Sequence, residues 1–237
     1  MKSERRKRIY NATRQEIEEV AWEQIAQDGA AALSLRAIAK QIGLTSPALY
    51  YYYPNRDALV NELVADAFNS LSNAMEEARD DLPTDDHARR FLAIGNAYRE
   101  WAQTYPQRYV LIFGAALPNY QPALDTIQPA ADRALGVLVE VVGEAWLANR
   151  IHLSDYYQVL PPPLEAQLEE WKQATGLAYP VQALYIALIA WCRIHGIVSL
   201  ELRQQFPPIA DPAKVFRLEA MALLKQIGMD KDNSDLT

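Results

Sequence analysis

A single cysteine, Cys192, stands in a chain of 237 residues, so no intramolecular disulfide can form. That suits a reducing compartment. Histidine is scarce as well: His87, His152 and His195 lie far apart, and no HExxH, paired-cysteine or EF-hand spacing occurs. No metal site is therefore expected. A glycine-rich phosphate loop and a G-x-S-x-G elbow are both missing, so neither an enzyme nor a cofactor is expected. The most apolar run, "ALYIALIAWC" from Ala183 to Cys192, stops at Arg193, about half the roughly 20 residues a membrane span needs. No apolar segment follows the opening charges, so the reading expects no secretory signal, no membrane partner and a cytoplasmic place. No alternating strand of useful length appears either.

What is present is hydrophobic and helical. Half of the residues are hydrophobic and 22% charged, the balance of a globular chain rather than a disordered one. The net charge of −7 is unevenly spread. Residues 1–60 hold nine Lys and Arg against seven Asp and Glu, a balance of +2, which leaves −9 for the rest. Five of the nine cations fall in residues 1–8, a basic tail on an otherwise acidic protein. Such a head can hold nucleic acid although the whole chain is acidic, because charge near the phosphates is what steers and binds.

Helical spacing runs through nearly every segment. Ile17, Val20, Ala21 and Ile25 form one apolar stripe, and Gly29 can end that helix. Leu35, Ile38, Ala39 and Ile42 form a second after Ser34, an N-cap residue, and Gly43 closes it. Thr45 caps a third helix, with Pro47 in its first turn and Pro54 stopping it. Asn55 then caps a long helix over 55–81 whose apolar residues are Leu59, Leu63, Ala67, Leu71 and Met75. Two short helices joined by a glycine-containing turn, after one longer helix, fit a helix-turn-helix, although an ordinary helical hairpin has the same spacing. Beyond Pro83 the reading expects further helices near 122–149, 181–205 and 212–227, a rigid proline linker at 161–163, and an unstructured tail at 231–237.

The stretch "LSLRAIAKQIGLTSPALYYYYPNRDAL" at 33–59 closely resembles the DNA-binding head of TetR-type transcriptional regulators. The resemblance implies an all-α fold, a head at 1–60 and a helical effector-binding and dimerisation body at 61–230. It implies a homodimeric repressor that reads a palindromic operator in double-stranded DNA through a recognition helix at 45–52. Thr45, Ser46, Pro47 and Ala48 would face base edges, with Arg36 reaching a base or phosphate from the preceding helix. Tyr50, Tyr52 and Arg56 match phosphate-binding positions, although histidine at 52 and phenylalanine at 53 are commoner in the family. With Thr45 as cap, Leu49 and Tyr53 point inward, and Tyr50, Tyr51 and Tyr52 sweep the outer side.

In the body, "WCRIHGIVSLEL" resembles the C-terminal domain class of the same regulators that is named for its Trp-His-Gly signature, here Trp191, His195 and Gly196. That resemblance implies a dimer seam from the last two helices, with Ile197, Leu200 and Leu223 as its candidates. The aromatic stripe Tyr98, Trp101 and Tyr105, with Tyr109 and Phe113 beyond a helix break at Pro106, fits plain core, or the wall of a pocket for a small apolar or aromatic effector. Tyr156, Tyr157 and Trp171 beside the proline run are weaker candidates for a lid. The competing function is a helical small-molecule-binding protein or enzyme with a vestigial head.

Overall fold

Among the described residues of the computed structural model, the cap and stripe signals become ten α-helices, and no strand is present. Those residues are 2–153, 159–208 and 211–229. Tyr156, Tyr157 and the tail at 231–237 lie outside them.

The chain packs as two units. One joins Met1–Phe68 to Tyr105–Ala130; the other joins Asn69–Thr104 to the chain from Ala131 onward. The first contains α1 (Lys2–Asp28), a single 3-10 turn (Ala30–Ala32), α2 (Leu35–Gln41), α3 (Ser46–Tyr52), the first half of α4 (Arg56–Asp80) and α6 (Pro106–Phe113). The second contains the rest of α4, α5 (His87–Thr104), most of α7 (Leu124–Leu147), α8 (Pro162–Thr175), α9 (Val181–Leu202) and α10 (Pro212–Gln226). The sequence-based boundary at residue 60 separates expected roles; packing instead keeps 61–68 and 105–130 with the first unit.

Local chemistry explains the first unit. Ser34 Oγ accepts from the Ala37 N–H, Thr45 Oγ1 from the Ala48 N–H at 3.3 Å, and Asn55 Oδ1 from the Ala58 N–H at 2.8 Å. Each satisfies an orphan donor of a first turn, a contribution of about 0.5–2 kcal/mol apiece. Gly43, at φ 72°, takes the left-handed conformation that ends α2 and sends the chain into α3. The turn is closed by Leu44 N–H donating to Ala39 C=O at 2.8 Å. Ile17, Ala21, Ile38, Ala39, Leu49, Leu59 and Leu63 are all within 1% of full burial and form its core. Asn61, also buried, accepts from Tyr120 Oη at 2.6 Å and from the Ala123 N–H, so the segment after α6 is tied to α4.

Two sequence expectations are corrected, and the helix expected near 181–205 is observed. The basic residues at the N-terminus are not a loose tail, since α1 is helical from Lys2. The proline run is not a linker: Pro162 and Pro163 occupy the first turn of α8, where a missing N–H costs nothing. The apolar run at 183–192 is part of a 22-residue helix, and among the described residues α9 alone has the length and apolarity to cross a membrane.

The second unit has its own core, including Met75, Ile94, Val139, Val142, Leu184, Ile186, Ala187, Leu223 and Leu224. Charged pairs stitch its helices. Arg90, 5% exposed, donates to Glu144 at 2.6 Å and links α5 to α7. Arg99 forks onto Glu201, and Gln103 donates to the same carboxylate at 2.9 Å, linking α5 to α9.

Candidate nucleic-acid interface and body cavity

Helix α3 is seven residues long, and burial sorts its side chains cleanly. Leu49 is 1% exposed and Tyr53, just past its end, 2%; both enter the core of the first unit. Arg36, Thr45, Pro47, Tyr50 and Tyr51 are exposed, and Ser46, Ala48, Tyr52 and Arg56 half-buried. The expected rotation of the helix therefore holds. Four identical side chains in a row divide into one core residue and three on the outside because successive helical positions turn by about 100°.

Tyr53 does more than fill space. Its hydroxyl donates to the Glu18 carboxylate and accepts from Arg14 Nε at 3.0 Å. The Arg14 guanidinium lies 5.0 Å from the Tyr53 ring centroid and pairs with Glu62 at 3.0 Å. One phenol thus joins α1, the end of α3 and α4. Burial first, and then the hydrogen bond to Glu18, push the Tyr53 hydroxyl well above the usual phenol range, so it stays a neutral donor.

Arg56 sits differently from its expected part. A guanidinium nitrogen donates to Ala30 C=O at 2.9 Å and to Ala31 C=O at 3.3 Å, clamping the 3-10 turn to the start of α4. Its Nε is buried and unpartnered among the described residues. Tyr10 is the residue the sequence did not flag. Its ring stacks on Tyr52 at 5.0 Å and meets Tyr51 edge-on at 5.9 Å, while Tyr51 and Tyr52 meet each other at 5.4 Å. Residues 13 and 14, one turn on from Tyr10, are Thr and Arg, so only Ile17 at i+7 marks its face and the periodic signal there is weak.

The aromatic stripe is divided between the two units, with Tyr98 and Trp101 in the second. Only Tyr98 of the five lines the apolar cavity of the second unit, beside Phe91, Gly95, Leu138, Trp191 and Ile194. Trp101 is buried, with Nε1 donating to Ser70 Oγ at 3.0 Å. Tyr105, Tyr109 and Phe113 belong to the first unit. There Tyr105 is 44% exposed under the Arg108 guanidinium, and Tyr109 packs on Phe113, which meets Phe68 at 5.7 Å. Pro106 opens α6, the break that a proline at this place leads one to expect.

The cavity is about 30 Å³, room for a water molecule and not for a metabolite. Its polar feature is the Tyr98 hydroxyl, 2.8 Å from His195 Nδ1. His195 Nε2 lies 3.3 Å from Ser199 Oγ, and its ring stacks on Trp191. Burial, and then the positive charge of Arg203, hold its pKa below the usual histidine value, so the imidazole is neutral at neutral pH. Both ring nitrogens are thus engaged, as in a satisfied core histidine.

The candidate seam residues also differ among themselves. Leu200 is 43% exposed and Ile197 half-buried, but Leu223 is 0% exposed, enclosed by its own chain. Leu223 is corrected from interface to core, because a residue with no accessible surface has none to offer a partner. Leu218, also on α10, is 70% exposed.

These features define a helix-turn-helix DNA-binding protein: a capped, glycine-turned helix pair presents short polar and apolar side chains outward on a rigid core, attached to a helical body. The chain belongs to the TetR family of bacterial transcriptional regulators. Residues 17–63 match the family described as bacterial regulatory proteins, tetR family, and residues 91–223 the tetracyclin repressor-like C-terminal domain. It is 32% identical over 210 residues to the HTH-type transcriptional regulator Rv1816 of Mycobacterium tuberculosis, covering 88% of this chain and 89% of that one. The solved structure of SCO4313, described as a regulatory protein, is 36% identical with a TM-score of 0.75, covering 92% of this chain and 98% of that one. The TetR-family regulator PfmR of Thermus thermophilus shares the fold at 16% identity, with a TM-score of 0.56 over 88% of this chain and 97% of that one. The protein is a transcriptional regulator, and members of its family bind DNA and usually dimerise.

Proposed function

We propose that the protein is a homodimeric, effector-released repressor acting in the cytoplasm on a palindromic operator. The observation that carries the reading is the sorting of α3: Leu49 and Tyr53 lock it to the core while Thr45, Ser46, Pro47 and Ala48 stay outward at its first turn. Pro47 and Ala48 offer apolar contact to thymine methyls, Ser46 a hydroxyl, and exposed Arg36 a fork suited to guanine or phosphate. Tyr50 and Tyr52 reach phosphate, which positions the head without reading sequence. Arg56 acts through the 3-10 turn that it clamps. Residues 1–60 act as the head, and 61–230 hold the effector and the partner.

The dimer forms through outward positions of α9 and α10. Tyr185, Ile189, Ile197 and Leu200 on α9, and Leu218 on α10, keep apolar surface exposed or half-exposed at helical spacing. A partner copy would cover the apolar face that makes α9 long and greasy enough to resemble a membrane span.

The effector is a small apolar or aromatic molecule taken into the cavity beside Tyr98 and Trp191. At about 30 Å³ that cavity is closed, so a ligand selects a more open body. Helix α4 contributes residues to both units and is the lever that carries the difference to the head. Repression ends because the effector lowers DNA affinity by its differential affinity for the two states.

Two measurements test this. In fluorescence anisotropy with a duplex from upstream of its own coding sequence, the protein should bind with a log–log salt slope of about −4 or steeper, reflecting four or more phosphates per dimer. A salt-independent affinity, or no binding at low salt, sinks the DNA-bound reading and leaves a helical ligand carrier. Gly95→Ala probes the cavity. A Cβ there meets Phe216 at 3.8 Å, an ordinary contact. The variant should be more stable by about 0.5–1 kcal/mol in chemical denaturation, as helical glycine is relieved. It should also show a smaller thermal shift with apolar ligands. A lower stability would mean the cavity wall cannot hold even a methyl group.

A further inference from the structure

The first turns of α1 lie far from any core residue of their own. Ile17, its first fully buried residue, stands about 22 Å along the helix from Lys2, at ~1.5 Å per residue. Yet these turns are held in place. Tyr10 stacks on Tyr52, and Tyr51 closes on both, so the last turn of the recognition helix and the start of α1 share one aromatic cluster. Arg5, Arg6, Ile9, Tyr10, Tyr51 and Tyr52 line an open hollow at this junction.

The chemistry of the hollow is one-sided. Arg5 and Arg6, the two cations on its wall, are exposed, and no ion-pair partner is found for them among the described residues. The hydroxyls of Tyr10, Tyr51 and Tyr52 likewise make no hydrogen bond there. Tyr51 is 74% exposed. In a chain of net charge −7, unpaired cations and free phenol donors are gathered next to the reading helix before any ligand arrives.

We propose that this junction is a second DNA-backbone site, binding phosphates that flank the base pairs read by α3. The occupant is the same duplex, for two reasons. The surface complements a polyanion, and it is continuous with α3, since Tyr51 and Tyr52 belong to both. Ring stacking holds the stretch of α1 that carries the cations in advance, so less backbone freedom is lost on binding than from a loose tail. The proposal rests on the DNA-regulator reading and extends it.

The test uses the full-length protein, a duplex from upstream of its coding sequence and a random-sequence duplex of equal length, titrated across salt. The double variant Arg5→Gln/Arg6→Gln removes four cations per dimer. Its salt slope should be shallower by about 3 to 4, at ~0.9 per phosphate, and its affinity at low salt about tenfold or more weaker on both duplexes. Tyr10→Ala, which keeps the cations but not the ring stacking, should fall between the variant and wild type. Arg89→Gln/Lys172→Gln, which removes two cations from the second unit, should leave the slope unchanged and so separates local contact from net charge. All of these positions are at least partly exposed, and unchanged circular dichroism should show the fold intact. An unaltered slope for the Arg5/Arg6 variant overturns the proposal while wild-type binding leaves the regulator reading standing. A loss confined to the upstream duplex overturns it too, because phosphates are present in both. Failure of the wild type to bind either duplex overturns the reading itself.

Discussion

Leu223→Asp should abolish the folded protein, whereas Leu218→Asp should leave it folded and monomeric. The two leucines are five residues apart on α10 and differ in one respect that decides the outcome. Leu223 is 0% exposed, between α10 and the rest of its unit, and Leu218 is 70% exposed. Removing a buried leucine side chain costs about 2–5 kcal/mol. An unpaired carboxylate in its place adds a desolvation penalty of several kcal/mol more. That sum approaches the ~5–15 kcal/mol total stability of a domain. Leu218 has no such burden in a single chain, so a charge there acts only where a partner helix would cover it. Light scattering should give a monomer for Leu218→Asp with unchanged circular dichroism, and operator binding should be lost. One head alone binds weakly, because the half-sites of such dimers lie about 34–36 Å apart and are engaged together. Leu200→Asp should behave like Leu218→Asp. Dimers that survive both substitutions would place the interface elsewhere on the chain.

The head was legible because its signals are local. Ser34, Thr45 and Asn55 cap the helices they precede, and Gly43 turns the chain, through atoms no more than a few residues apart. Leu49 and Tyr53 follow from spacing alone. Where long-range packing decides, sequence pattern failed. Leu223 and Leu218 are both apolar and both on one amphipathic helix, and nothing in the spelling says which side meets its own core. Tyr10 is marked mainly by its partners, Tyr51 and Tyr52, some forty residues later. The break at Pro106 is legible in the sequence, but the assignment of Tyr105, Tyr109 and Phe113 to a different packing unit from Tyr98 and Trp101 is not. Arg56 reads as a phosphate ligand until the carbonyls of Ala30 and Ala31 appear in front of it.

The four adjacent tyrosines allow the sharpest separation of fold from function. Tyr53→Ala removes a buried ring and leaves Glu18 and Arg14 facing the space it occupied. It should cost about 3–5 kcal/mol, the range for truncating a buried aromatic, and lower the denaturation midpoint of the head. DNA binding should be lost with the fold and return where the variant is held folded at low temperature. Tyr50→Phe removes one hydroxyl from a ring that is 43% exposed. Its melting temperature should hardly move. If that hydroxyl bonds a phosphate, affinity should fall by roughly 0.5–3 kcal/mol, the range for a hydrogen bond to a neutral or charged partner. The loss should be equal across operator variants, because a phosphate carries no base identity. A Tyr50→Phe effect that changes with the base sequence would mean that Tyr50 reads an edge. A stable, fully binding Tyr53→Ala would mean that Arg14 and Glu18 hold α1 to α4 without it.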